Sequence, residues 1–324
     1  MNAPRVILGI AVLAALALAV SGSVVIAGEA TNSAGGAPAS SVEPQNPRSG
    51  TFAGKISIGN DRELYLRCAG SGEPTVLLES GIHDSSDTWM SSDTKAAPVF
   101  TEVSKYTHVC MYDRPGTVRY TDPPTLTTRS TAVTMPRTLR SMVSDLHSVV
   151  TAARIPGPYL LVGHSYGGMI VRSFSQTYPS ATAGLVFVDA FGPNIKQLFG
   201  AQWAAYVETL NEPGTALDDQ SGWETVDADE AIRAIENGGP LPKVPAAVIS
   251  KTEPFGVSST VPVALTRTLE RAWPEVQDAL VTLEPNTPHV FATGSDHYVQ
   301  VRDPDLTTSM IRLVLERYKR AEAR

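Results

Sequence analysis

Between Tyr159 and Tyr178 the chain reads YLLVGHSYGGMIVRSFSQTY, and no other stretch restricts the possible folds as strongly. Tyr159 to Val162 is a short apolar run just after Pro156-Gly157-Pro158, with the length and composition of a strand buried in a parallel sheet. From Met169 to Tyr178, Met169, Ile170 and Phe174 share one helical face, and Pro179 stops the helix. Gly163-His164-Ser165-Tyr166-Gly167 joins the two and fits G-x-S-x-G, a strand-to-helix corner that forces its serine into a strained backbone conformation. Only a side chain smaller than a methyl, two residues to either side, lets that corner close. Ser165 then projects from the end of the sheet with a helix start behind it. The N–H of Tyr166 points at any oxyanion formed on that serine. A bare G-x-S-x-G is a weak pattern; the strand before it and the helix after it supply the context.

The rest of the chain alternates strands and helices around this corner. Thr51 to Ile58 and Arg62 to Cys68 read as an opening hairpin turned by Gly59-Asn60-Asp61. Thr75 to Leu78 is a continuous β-rich run ending at Glu79-Ser80-Gly81-Ile82-His83, and Trp89 with Val99-Phe100 packs a helix onto the sheet. Thr107 to Tyr112 is the next strand, running into Asp113-Arg114-Pro115-Gly116, a turn by composition. From Thr138 to Arg154, Leu139, Met142, Val143, Leu146, Val149, Val150 and Ala153 recur at helical spacing.

Beyond the corner, Gly184 to Val188 is a buried strand ending at Asp189-Ala190. Phe191 to Lys243 carries Trp203, Tyr206, Trp223 and acidic helical pieces but no strand-like run, so a helical insertion covers the end of the sheet. Strands resume at Val244 to Ser250, followed by Lys251-Thr252-Glu253-Pro254, and at His289 to Ala292, closed by Gly294-Ser295-Asp296-His297. A helix with Leu265, Leu269 and Trp273 separates them. Asp303-Pro304 caps a last helix whose stripe is Leu306, Met310, Ile311, Val314, Leu315 and Tyr318. The fold class is therefore α/β: a mainly parallel, twisted sheet of about eight strands flanked by helices, with a helical cap at about 191–243. In such sheets ligands sit at the carboxyl ends of the strands. Ile82, Ser165, Asp189, Glu253 and His297 all fall there.

At 324 residues and 42% hydrophobic content the chain suits one globular domain with an insertion. A net charge of -7, with no basic stripe, argues against a nucleic-acid partner. Residues 1–27 read as a signal peptide: Arg5 precedes the unbroken apolar run Val6 to Val20, and Val25-Ile26-Ala27 resembles a cleavage site. Apolar character resumes from Ser21 to Ala27, so an uncleaved anchor of about bilayer-spanning length is the alternative. Both place the remainder outside the cytoplasm, secreted or held near membrane or cell wall. Residues 28–50 form a flexible linker, and 51–320 the folded domain. The two cysteines, Cys68 and Cys110, suggest a disulfide in an exported protein; two buried thiols are the alternative.

Four segments together resemble the α/β-hydrolase family: GHSYGG (163–168), CMYDRPG (110–116), LESGIHDSSDTW (78–89) in the oxyanion-loop position, and GSDHYVQVRDPD (294–305) as the histidine loop. The chain order Ser, acid, His is also that family's. Two departures stand out: Thr117-Val118-Arg119-Tyr120 follows Gly116 where the family usually continues Gly-x-Gly-x-Ser, and Glu79-Ser80-Gly81 stands where many members carry His-Gly. The family's strand order sets the strand ending at Cys68 beside the one containing Cys110, which implies a Cys68–Cys110 bridge.

The resemblance implies a serine esterase or lipase-like hydrolase with no metal or cofactor, acting on a small-molecule ester. Ser165 is its nucleophile and His297 its base; the plainer alternative for His297 is a surface histidine beside Asp296. The family's carboxylate most often follows the seventh strand, here Glu253, and in some members the sixth, here Asp189; Asp189 is the preferred acid because it directly ends the strand next to the nucleophile's, with Glu253 as the alternative. The N–H groups of Tyr166 and Ile82 form the oxyanion hole. His83 is expected to line the pocket or to supply a polar contact near the oxyanion. A serine at the corner argues against the family's haloalkane dehalogenases and epoxide hydrolases, which use aspartate there. An amidase or peptidase with the same residues, a non-catalytic binding module, and a membrane-surface lipase with an apolar patch from Phe191, Phe199, Trp203 and Leu210 are the other readings.

Overall fold

The computed structural model describes residues 47–212 and 221–324. The signal or anchor segment 1–27 and most of the 28–50 linker lie outside those described residues. The hairpin forms as read, β1 (Phe52–Gly59) and β2 (Arg62–Ala69), with Gly59, Asn60 and Asp61 all at positive φ in the turn. Next come β3 (Thr75–Glu79), α1 (Val99–Val103) and β4 (Val109–Tyr112). Two short strands, β5 (Val118–Arg119) and β6 (Thr125–Leu126), pair with each other apart from the main sheet. The centre is α2 (Leu139–Ala152), β7 (Tyr159–His164), α3 (Gly167–Thr177) and β8 (Thr182–Val188). The insertion contains α4 (Ile195–Phe199), α5 (Trp203–Asn211) and α6 (Ala228–Glu236). After it come β9 (Ala246–Lys251), α7 (Val263–Val281), β10 (His289–Ala292), α8 (Val299–Arg302) and α9 (Pro304–Glu322).

The main sheet has eight strands in the order β1-β2-β4-β3-β7-β8-β9-β10. β2 runs antiparallel to both neighbours, and the remaining pairs are parallel. Because side chains alternate along a strand, each central strand feeds two cores. Leu77, Leu161 and Phe187 face α2, α3 and α7, whereas Val76, Leu160 and Val186 face α1 and α9. That double burial explains why these strands read as unbroken apolar runs. The helix ends are also set by sequence: Thr138 accepts from the N–H of Ser141 at the start of α2, and Asp303 accepts from Leu306 at the start of α9.

Cys68 and Cys110 sit directly opposite each other in the β2–β4 register and are joined by a disulfide, with Cα atoms 4.1 Å apart. Phe191, Phe199, Trp203 and Leu210 are all buried, so they form no exposed apolar patch on the cap. They pack instead into the same core as α3 and α7, because the cap closes down onto the sheet. No helix among the described residues is long and apolar enough to cross a membrane.

Candidate active site

Ser165 follows β7 directly and adopts φ 51°, in the left-handed region that costs a non-glycine residue energy. The corner is held on both sides. Its N–H donates to the Val188 carbonyl (3.1 Å), and its own carbonyl accepts from Gly168 (2.9 Å) and Phe191 (2.8 Å). The glycines are required by contact. A Cβ on Gly163 would lie 2.6 Å from the Gly167 oxygen, and one on Gly167 would lie 2.6 Å from the carbonyls of Glu79 and Ser80.

His297 comes from the loop between β10 and α8, and its Nδ1 is 2.6 Å from Oδ2 of Asp189, the residue directly after β8. Both side chains are buried. Asp189 is fixed in turn: its N–H donates to Ile249 (2.7 Å), and its Oδ1 accepts from the N–H of Lys251 (3.1 Å). A carboxylate only accepts, so Nδ1 carries the proton and Nε2 is left as an acceptor. Glu253, the alternative acid, is not brought to the ring. It is exposed, and its backbone N–H donates to the Ser295 carbonyl, which ties the turn after β9 down beside β10.

Ser165 and His297 line one narrow cavity, walled by Phe191, Phe255 and Trp273. Among the described residues no hydrogen bond joins the Ser165 hydroxyl to the ring in this resting arrangement. Catalytic hydrogen bonds are often long until substrate is bound. The N–H groups of Ile82 and Tyr166 likewise have no hydrogen-bond partner among the described residues.

The loop that carries Ile82 is gripped by two residues that sequence reasoning did not single out. Arg114 uses all five of its N–H donors: Nε to Glu224 (2.7 Å), Nη1 to Glu79 (2.6 Å) and the Ser80 carbonyl (3.0 Å), and Nη2 to the Gly81 carbonyl (2.6 Å) and Glu224 (3.0 Å). Glu224, from the cap, also accepts the backbone N–H of His83 at 2.6 Å. The polar backbone atoms on either side of Ile82 are therefore occupied while its own N–H stays free. Burial works against the Glu224 carboxylate, but the Arg114 charge overrides it and holds the pKa below the ordinary value. Glu79 shares the same cation less favourably, and burial pushes it up to about 7. The one available signal was Arg114 in the Asp-Arg-Pro-Gly turn after a buried strand; nothing local marks Glu224.

His83 does not line the cavity. Its ring stacks on Trp223 with centroids 4.2 Å apart and donates Nε2–H to the Leu210 carbonyl (2.7 Å), while burial pushes its pKa down to about 4. A positive φ of 68° turns it that way, and its carbonyl accepts from Val118 at 2.6 Å. The departure at Thr117–Tyr120 thus acquires a role: β5 braces the oxyanion loop from outside, and Tyr120 donates to Asp84 (2.8 Å).

The profile of the Alpha/beta hydrolase family matches residues 75–321, which includes every element of this site. The chain belongs to that family. A probable transporter, efuK, from Hormonema carpetanum is 30% identical to this α/β-hydrolase over 142 residues, 42% of this chain and 18% of that protein. The chain therefore spans under a fifth of that relative's length. Among solved structures, a thermophilic esterase from Thermogutta terrifontis is 16% identical with a TM-score of 0.54, covering 82% of this chain and 99% of that one. The epoxide hydrolase CorEH is 15% identical with a TM-score of 0.53, covering 82% of this chain and 99% of that one. An esterase and an epoxide hydrolase resemble this α/β-hydrolase equally well, so the likeness establishes the fold alone. The chemistry has to be argued from the residues at the corner.

Proposed function

We propose that this α/β-hydrolase is an exported serine hydrolase that cleaves small carboxylic esters through an acyl-enzyme on Ser165. The observation that carries the proposal is the 2.6 Å contact between His297 Nδ1 and Asp189, made at the same strand ends that present Ser165. With Nδ1–H committed to the carboxylate, Nε2 accepts the serine proton as Oγ attacks the ester carbonyl. The oxygen of the tetrahedral intermediate takes up the free N–H groups of Ile82 and Tyr166. His297 then gives its proton to the departing alcohol. Water enters and loses a proton to the same nitrogen as it attacks the acyl carbon, and the imidazolium returns that proton to Ser165 Oγ as the acid departs. Asp189 stays ionised throughout and stabilises the imidazolium in each half-reaction.

A serine at the corner supports acyl transfer over the aspartate chemistry of epoxide opening. The apolar segment 1–27 and the Cys68–Cys110 disulfide support export, because disulfides persist in oxidising compartments. The charge of -7 argues against a nucleic-acid partner.

The test is turnover of short-chain p-nitrophenyl esters by the wild type and Ser165→Ala. A loss of about 10⁴-fold or more in kcat is expected in the variant; hydrolysis surviving in Ser165→Ala would reject the mechanism. Amidase action would appear as comparable turnover of the matching anilides. N-terminal sequencing of protein recovered outside the cytoplasm tests export and decides between cleavage and anchoring.

A further inference from the structure

Four residues lining the cavity of Ser165 keep a buried polar side-chain atom without a partner among the described residues, namely Asp84, His164, Tyr166 and Trp273, and the first two lie beside the nucleophile. Asp84 Oδ1 accepts from the hydroxyls of Tyr120 (2.8 Å) and Tyr298 (3.4 Å), but its Oδ2 has no partner among the described residues although Asp84 is only 4% exposed. His164 donates Nε2–H to the carbonyl of His297 (3.0 Å), which leaves Nδ1 as a bare acceptor, also buried and unpartnered among those residues. Burial keeps this imidazole neutral by pushing its pKa well down.

The two atoms converge. A Cβ added to Gly81 would lie 2.9 Å from His164 Nδ1, 3.1 Å from Ser165 Cβ and 3.2 Å from Asp84 Oδ2, so the two polar atoms flank Gly81 right beside the nucleophile. Both residues line the cavity that holds Ser165. A buried polar atom without a partner costs the fold energy, and such a cost is retained where a ligand satisfies it.

We propose that Asp84 and His164 form a polar subsite that reads a hydroxyl group next to the scissile carbonyl, so that the preferred substrates are esters of short hydroxy acids. A hydroxyl accepts one hydrogen bond and donates one. The protonated carboxyl of Asp84 supplies the donor through Oδ2, and Nδ1 of His164 supplies the acceptor. Burial pushes the Asp84 carboxyl up to about 7, so the proton is held in acidic solution and by about half of the molecules at neutral pH. Around it stand the Tyr120 and Tyr298 hydroxyls, the Arg114–Glu224 pair and neutral His164. Glu79, on the far side of Arg114, titrates in the same range.

This inference rests on the acyl-enzyme reading but can fail separately from it. The experiment compares kcat/KM for p-nitrophenyl 2-hydroxybutanoate and 3-hydroxybutanoate with that for p-nitrophenyl butanoate, in the wild type, Asp84→Leu and Asp84→Asn. The hydroxy-to-deoxy ratio is unaffected by the fraction of folded enzyme, and intrinsic ester reactivity cancels between variants. The better hydroxy ester should be favoured about ten-fold or more in the wild type relative to Asp84→Leu, because the site's polar atoms are otherwise left unpaired. Asp84→Asn, which keeps a donor, should retain most of the preference. The wild-type ratio should fall above about pH 7 and the Asn ratio should not, which separates Asp84 from Glu79. The same ratio in wild type and Asp84→Leu would overturn the subsite. So would a preference for an ammonium-bearing acyl ester that grows above about pH 7, since that marks an ionised carboxylate binding a cation. Butanoate hydrolysis lost in Ser165→Ala tests the acyl-enzyme reading alone.

Discussion

Asp189 and His297 are 108 residues apart in the chain and 2.6 Å apart in space. β9 lies between the strands that precede them, so the histidine loop reaches back across one strand to meet the end of β8. Lys251, at the end of that intervening strand, supplies the N–H that orients the other carboxylate oxygen. Removing the carboxylate charge while keeping its shape should lower kcat by about 10³- to 10⁴-fold in Asp189→Asn, because the imidazole loses its tautomer and its counter-charge. Glu253→Gln should stay within about two-fold of wild type, as expected of an exposed turn residue. Steady-state kinetics on one ester checks both, and the opposite ranking would return the acid role to Glu253.

The grip of Glu224 on the oxyanion loop connects the cap to the chemistry. Glu224→Gln weakens the bonds to Arg114 and to the His83 N–H, letting the Ile82 N–H drift from where an oxyanion forms. A fall of about 10- to 100-fold in kcat is expected, with KM little changed, since this donor matters mainly in the transition state. Affinity for a trifluoromethyl ketone should drop in step with kcat. If KM moves and kcat does not, the cap acts on substrate entry and not on the oxyanion.

Much of the fold was legible because it rests on local rules. The corner glycines are dictated by contacts that would fall at 2.6 Å, and the apolar runs of β3, β7 and β8 by burial on both faces. Ser165 and His297 follow as candidates from the motifs that carry them, and the fold sets both against one cavity. Asp189 is preferred to Glu253 from its strand alone; both follow parallel strands, and only the path of the histidine loop shows which carboxylate meets the ring. Arg114 and Glu224 were missed for the same reason: their ion pair spans 110 residues and joins a turn to an insertion without periodic pattern. The pocket-lining reading of His83 fails because its positive φ, set by contacts with Val118 and Glu224, turns the ring away from the cavity.

The buried Asp84 carboxyl gives stability a pH dependence of defined sign. Its folded pKa is raised to about 7 from an ordinary 3.8. Its contribution is therefore complete below the unfolded value and is lost as pH rises through the folded one. Asp84→Asn, which has no charge to bury, should gain melting temperature relative to wild type between about pH 5 and about pH 8. A constant difference across that range would mean that Asp84 is ionised in the fold throughout.

The Cys68–Cys110 bridge closes a 42-residue separation between neighbouring strands, away from the corner. Replacing both cysteines with serine should cost about 2–4 kcal/mol of stability. Turnover per folded molecule at room temperature should be nearly unchanged. Denaturation curves and active-site titration on the same samples separate the two effects.

In the proposed mechanism one serine hydroxyl, held at a strained corner, is activated by one imidazole. Mass spectrometry of the protein after reaction with a fluorophosphonate tests it most directly. A single adduct located on Ser165, absent in Ser165→Ala and strongly slowed in His297→Ala, is the expected result. An unlabelled protein, or an adduct on any other residue that persists in Ser165→Ala, would contradict it.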